Sequence, residues 1–156
     1  MQKYYKEIVE DNNLDEVPDA ILYYNSELEE SRKDLEIKGS VMHMASRMPG
    51  IIEYRFSQLQ ELEAICQHIA IVKNKAFSMA FKSYFEGYNK TMTSRDAEKY
   101  ANGDDTVIDL AIILNSISVV RDKYLGLTKA LESKHYQLTN IIKMKAAGID
   151  DFDVVF

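Results

Sequence analysis

Apolar residues recur every three or four positions along nearly the whole chain, and β-branched alternation is absent. That pattern predicts an all-α protein built from long amphipathic helices forming a helical hairpin or bundle. Residues 1–13 suit a short helix with Tyr4, Tyr5, Ile8 and Val9 on one side, broken by the run from Asn12 to Val17. Pro18 fits the first turn of a second helix that runs to about Lys38 and stops at Gly39. A third segment spans 40–48, and Met48-Pro49-Gly50 interrupts it. From about Pro49 to Tyr88 a long helix keeps Ile52, Phe56, Leu59, Leu62, Ile65, Cys66, Ile69, Val72 and Ala76 on one stripe. Thr93-x-x-Asp96 resembles a capping box for a short helix over 94–101, stopped by Asn102-Gly103. Asp104 or Asp105 then caps a last helix, about 105–147, ending at Gly148. Its stripe is Leu110, Leu114, Ile117, Tyr124, Leu127, Leu131, Leu138 and Ile141. At ~1.5 Å per residue that helix is roughly 60 Å long. Two such stripes exceed what a compact monomer needs, so assembly into a homo-oligomer is expected.

The 156 residues divide, on this reading, into an acidic N-terminal helical segment (1–39), a helical core domain (40–148) and an acidic C-terminal tail (149–156). An apolar fraction of 46% and a charged fraction of 28% are those of a globular protein. No apolar run approaches the roughly 20 residues that span a bilayer, and the polar start, Met1 to Glu10, reads as no signal peptide. No membrane partner is expected. The one cysteine, Cys66, fits a reducing compartment. Cys66-x-His68 has no second cysteine to complete a zinc site, so Cys66 reads as inert core and no metal or cofactor is expected. No phosphate-binding glycine loop, catalytic triad order or Glu-x-x-His is present, which points away from an enzyme.

Charge changes the picture. The formal net charge is -6, yet residues 73–101 carry six basic groups and three acidic ones, and residues 121–145 carry six and two. Residues 1–40 carry five basic and eleven acidic groups. On a helix, Phe77, Phe81, Tyr84 and Tyr88 share an arc, which reads as core, with Tyr88 the better base-stacking candidate. Lys75, Lys82 and Lys90 fall on the opposite side, and Arg95 and Lys99 extend them. On the last helix Arg121, Lys129 and Lys143 flank the stripe on one side, and Lys123, Lys134 and Lys145 on the other. Such a track makes phosphate contacts with little sequence preference. The alternative is a helical structural or scaffold-like assembly protein, without DNA binding. In it the basic segments would pair with the acidic residues 1–40 of a neighbouring subunit.

The order of "KAFSMAFKSYFEG", "SRDAEKY" and "LTKALESKHYQLTNIIKMKAAG" resembles the UvsY recombination mediators of tailed phages over about residues 50–148. Its most specific parts are Tyr84-Phe85-x-Gly87 and the terminal run of Ala130, Leu131, Ser133, Asn140, Ile141, Met144 and Gly148. The family has Lys and Arg just ahead of its aromatic pair, where this chain has Met79 and Phe81. The resemblance implies a non-enzymatic protein that binds single-stranded DNA and forms ring-like homo-oligomers. It also implies loading of a phage recombinase onto DNA covered by single-strand binding protein, in the cytoplasm of the infected host. The expected DNA-binding residues are Lys75, Lys82, Lys90, Arg95 and Lys99, assisted by Arg121, Lys129 and Lys143. The tail, with Asp150, Asp151, Phe152, Asp153 and Phe156, is similar to the acidic, aromatic-ended tips of single-strand binding proteins. It is expected to dock partners and to compete with DNA.

Overall fold

The computed structural model describes residues 3–87 and 92–149. Among these residues there is no strand, and five α-helices follow one another: α1 (Lys3–Tyr5), α2 (Val17–Leu35), α3 (Val41–Gly87), α4 (Ser94–Asn102) and α5 (Asp105–Ala146). The all-α expectation holds. α1 continues as a π-helical turn, Lys6–Glu10, which buries Ile8. Asn12 then takes a left-handed φ of 53°, and its Oδ1 lies 2.8 Å from His68 Nε2. Asparagine tolerates that backbone better than most residues, which is why the chain turns there.

Two boundaries differ from the sequence reading. α2 ends at Leu35 rather than near Lys38, because the Lys134 ammonium donates to the Asp34 and Glu36 carbonyl oxygens, each at 2.7 Å. A lysine that takes up the free carbonyls of a helix end stabilises the stop at that point. α3 runs unbroken through Pro49, where an interruption was expected. Proline removes one helical hydrogen bond and crowds the preceding turn. Pro49 and Gly50 are both exposed, so solvent can serve the freed carbonyl, while buried Met48 and Arg55 anchor the helix on either side. The far end of α5 follows the expectation closely. Gly148, with φ 73°, donates to Lys145 O, and Ile149 donates to Met144 O, the paired bonds of a Schellman stop.

The chain forms two compact units. The first comprises Met1–Tyr24 and Gln60–Arg121, and its core includes Leu62, Ile65, Ile69, Ile117 and Tyr24. Buried Tyr24 donates its hydroxyl to Glu61 Oε2 at 2.8 Å. Cys66 is buried here, 3.8 Å from the Ser118 hydroxyl, as an inert core thiol should be. A separate cluster of Ala80, Ala101 and Val107 receives half-buried Phe77, Phe81 and Tyr84.

The second unit comprises Asn25–Leu59 and Asp122–Phe156. Met48, Leu59, Tyr124, Leu131 and Leu138 are buried in it. Of the expected α3 stripe, Phe56 is instead 48% exposed, beside an apolar groove of about 450 Å³ against Pro49 and Ile52. The unit also holds a buried polar network around Arg55, which is 7% exposed. Its Nε and Nη2 donate to Asp34 Oδ2 at 3.2 and 3.0 Å, and its Nη1 donates to Glu27 Oε2 at 3.1 Å and Gln58 Oε1 at 3.0 Å. Burial pulls the guanidinium pKa down, but the Asp34 and Glu27 carboxylates more than reverse that and hold it above its ordinary value.

Removing one partner of such a pair strands the other charge. Arg55→Ala is therefore expected to cost about 3 kcal/mol in urea unfolding, at the low end for a buried pair because both carboxylates keep some solvent contact. Arg32→Ala, which breaks an exposed i,i+3 pair with Glu29, should cost less than about 0.5 kcal/mol in the same measurement.

Candidate nucleic-acid interface

The basic and aromatic middle of the chain folds into the last turns of α3 and the whole of α4, in the first unit. α4 starts where it does because Thr93 Oγ1 accepts from the Asp96 N–H at 3.3 Å and donates to Asp96 Oδ2 at 2.6 Å. That reciprocal cap satisfies the first turn and places an acid at the positive helix end. Ala97 and Ala101 are fully buried, so the small side chains let α4 approach closely, and the Tyr100 ring lies against Tyr84 of α3, tilted by 31° with ring centroids 5.6 Å apart. Arg95 and Lys99, one turn apart on α4, are both exposed.

On α3 the aromatics form a ladder leading outward. Phe77 and Phe81 lie 6.4 Å apart, and Phe81 and Phe85 lie 5.7 Å apart with rings within 9° of parallel. The ladder begins half-buried and ends exposed, with Phe85 at 48% and the neighbouring Tyr100 at 53%. Lys75 and Lys82 are exposed on the same helix, and Met79 stands between them at 65% exposure. Lys75 makes no ion pair among the described residues, and Lys82 has only a 4.0 Å approach to Glu86. The carboxylates of the acidic α2 are engaged within their own unit: Glu27 and Asp34 with Arg55, Glu29 with Arg32, and Glu30 with Lys33.

Lys75, Lys82, Arg95 and Lys99 thus lie exposed in one unit, which also carries the exposed rings of Phe85 and Tyr100. Lys90 and Tyr88 fall outside the described residues, as do Asp150, Asp151, Phe152, Asp153 and Phe156 of the tail. Arg121 is half-buried in the first unit, and Lys129 and Lys143 are exposed in the second. Lys123 and Lys134 are used internally: Lys123 donates to Asn25 Oδ1, and Lys134 holds the end of α2. Sequence reasoning missed Phe85 and Tyr100 as exposed rings. The signal was available for Phe85, because a helix turns it about 100° from Tyr84 and about 40° beyond Phe81, to the edge of the core arc.

Among the described residues no helix is long and apolar enough to cross a membrane, and no three His, Cys, Asp or Glu gather as a metal-binding group. Comparison with protein-family models, curated proteins and solved structures finds no match.

Because one cap positions α4, Thr93→Ala is expected to destabilise that helix by about 1 kcal/mol. Hydrogen exchange should report it as faster exchange over 94–102, with the rate over 60–72 of α3 unchanged.

Proposed function

We propose that the chain binds single-stranded DNA as a recombination mediator, working as a homo-oligomer. The observation that carries this reading is the exposed basic and aromatic surface at the end of α3 and on α4. Lys75, Lys82, Arg95 and Lys99 contact phosphates, and Phe85 and Tyr100 offer faces on which unpaired bases stack. Such binding is tolerant of sequence, because every base has a stacking face and the phosphates carry no sequence information. Duplex DNA hides its base faces, so single strands are preferred. The resemblance to the UvsY mediators supplies the process: loading a phage recombinase onto DNA covered by single-strand binding protein, in the infected host's cytoplasm.

Self-association is supported by an apolar face on α5. Ile108, Ile112 and Val119 are 41%, 60% and 49% exposed, and their spacing keeps them on one side of the helix. Exposed apolar surface of this continuity marks an interface. Repeating a modest DNA patch around an assembly gives avidity without a strong single site.

Fluorescence anisotropy with a labelled oligo-dT tests the DNA reading. Each phosphate contact contributes roughly -0.7 to the slope of log affinity against log salt, so the Lys82→Ala/Arg95→Ala/Lys99→Ala variant should flatten that slope by about 2. Phe85→Ala and Tyr100→Ala should each weaken binding by about 1–3 kcal/mol while leaving the slope unchanged. Absence of binding by a well-assembled wild type would favour the assembly-protein alternative. For the assembly itself, sedimentation of the wild type at micromolar concentration should show an oligomer, and Ile112→Asp should shift it to a smaller species. A wild type that sediments as a monomer contradicts this part.

A further inference from the structure

A cavity of about 230 Å³ lies in the second unit, at the first turns of α3, and the DNA reading makes no use of it. Its wall carries four cations, Lys33, Lys38, Arg47 and Lys134, against two carboxylates, Asp34 and Glu36. Both carboxylates are already neutralised. Asp34 Oδ2 accepts two bonds from Arg55, and Glu36 Oε2 sits 2.8 Å from Lys38 Nζ. Lys33 is occupied by Glu30 at 2.8 Å. Arg47 and Lys134 remain without a bonded carboxylate among the described residues. The Arg47 side chain makes no hydrogen bond among the described residues. Lys134 is only 7% exposed and spends two of its three N–H groups on backbone carbonyls.

Three further features point the same way. α3 has no acidic residue in its first turn, so the positive end of a 47-residue helix is not offset there. The His43 ring also lines the cavity and is exposed. Burial holds the Lys134 ammonium below its ordinary pKa despite the nearby Asp34 and Glu36 carboxylates, so an added negative charge is what its surroundings lack. The rest of the lining is apolar, formed by Met44, Met48 and Ile51. The space suits one tetrahedral anion and the first atoms attached to it, and is too small for a strand to run through.

We propose that this cavity binds a phosphate monoester. Arg47 and Lys134 hold the phosphate, the guanidinium fork being suited to two of its oxygens, and the ester group rests on Met44 and Met48. The group has two possible sources, a free mononucleotide or the 5′ end of a DNA strand.

The test uses the full chain in titration calorimetry at constant ionic strength, with inorganic phosphate, AMP, and oligo-dT bearing either a 5′-phosphate or a 5′-hydroxyl. The variant is Arg47→Ala, which breaks no bond within the fold; circular dichroism confirms that it is folded. AMP is expected to bind the wild type, and Arg47→Ala to raise its Kd by about tenfold or more, the loss of one charge-assisted fork. A strand-end source predicts that the 5′-phosphorylated oligonucleotide binds more tightly than the 5′-hydroxyl one, and that Arg47→Ala abolishes the difference. Failure of both AMP and the 5′-phosphate to bind in an Arg47-dependent way overturns the proposal. Arg47-dependent binding of inorganic phosphate with AMP excluded overturns the ester contact. The AMP arm needs no DNA binding, so its result stands apart from the interface on α3 and α4.

Discussion

Asp34 is the residue on which the second unit turns. Its carboxylate holds the buried guanidinium of Arg55 from α3, and its backbone oxygen receives the buried ammonium of Lys134 from α5. Two cations taken out of water on neighbouring helices share this one residue at the end of α2, Arg55 having Glu27 and Gln58 besides and Lys134 the Glu36 carbonyl. Gln58, fully buried, completes the arrangement by accepting from Arg55 and donating to Glu27. This set of directed bonds ties α2 to α3 and α5 through specific atoms. It also ends α2 early and opens the basic cavity beside α3.

The protein is acidic overall, yet Lys75, Lys82, Arg95 and Lys99 are exposed in the first unit. Four α2 acids are paired at close range: Glu27 and Asp34 with Arg55, and, exposed on their own helix, Glu29 with Arg32 and Glu30 with Lys33. Such exposed pairs add little stability. Hydrogen bonds from Lys33 and Lys38 hold the Glu30 and Glu36 carboxyls, respectively, below their ordinary pKa.

Much of the fold was legible because a helical stripe depends only on local spacing. Ile65, Ile69, Ile117, Tyr124, Leu131 and Leu138 fell where the period put them. The Thr93 cap and the Gly148 stop were equally readable, since each is a few residues acting on their own backbone. What could not be read depends on partners distant in sequence. Lys134 looked like one more flank lysine, and only its meeting with residues 34 and 36 shows it buried at a helix end. Arg55 gave no signal, because a buried arginine is defined by the carboxylates that reach it. Pro49 read as a break, since the local rule does not know which side of the helix faces water. The candidate interface was half legible: its cations follow from spacing, but exposure of Phe85 and Tyr100 depends on how α4 lies on α3.

The account rests most on the claim that unpaired bases meet the rings at the end of α3 and on α4. Ultraviolet crosslinking of the protein to oligo-dT, followed by peptide mapping, addresses that contact directly. The account predicts crosslinks concentrated at Phe85 and Tyr100, lost when unlabelled single strand competes and retained when duplex competes. Crosslinks confined to other segments, or none under conditions where the oligonucleotide is bound, would contradict it.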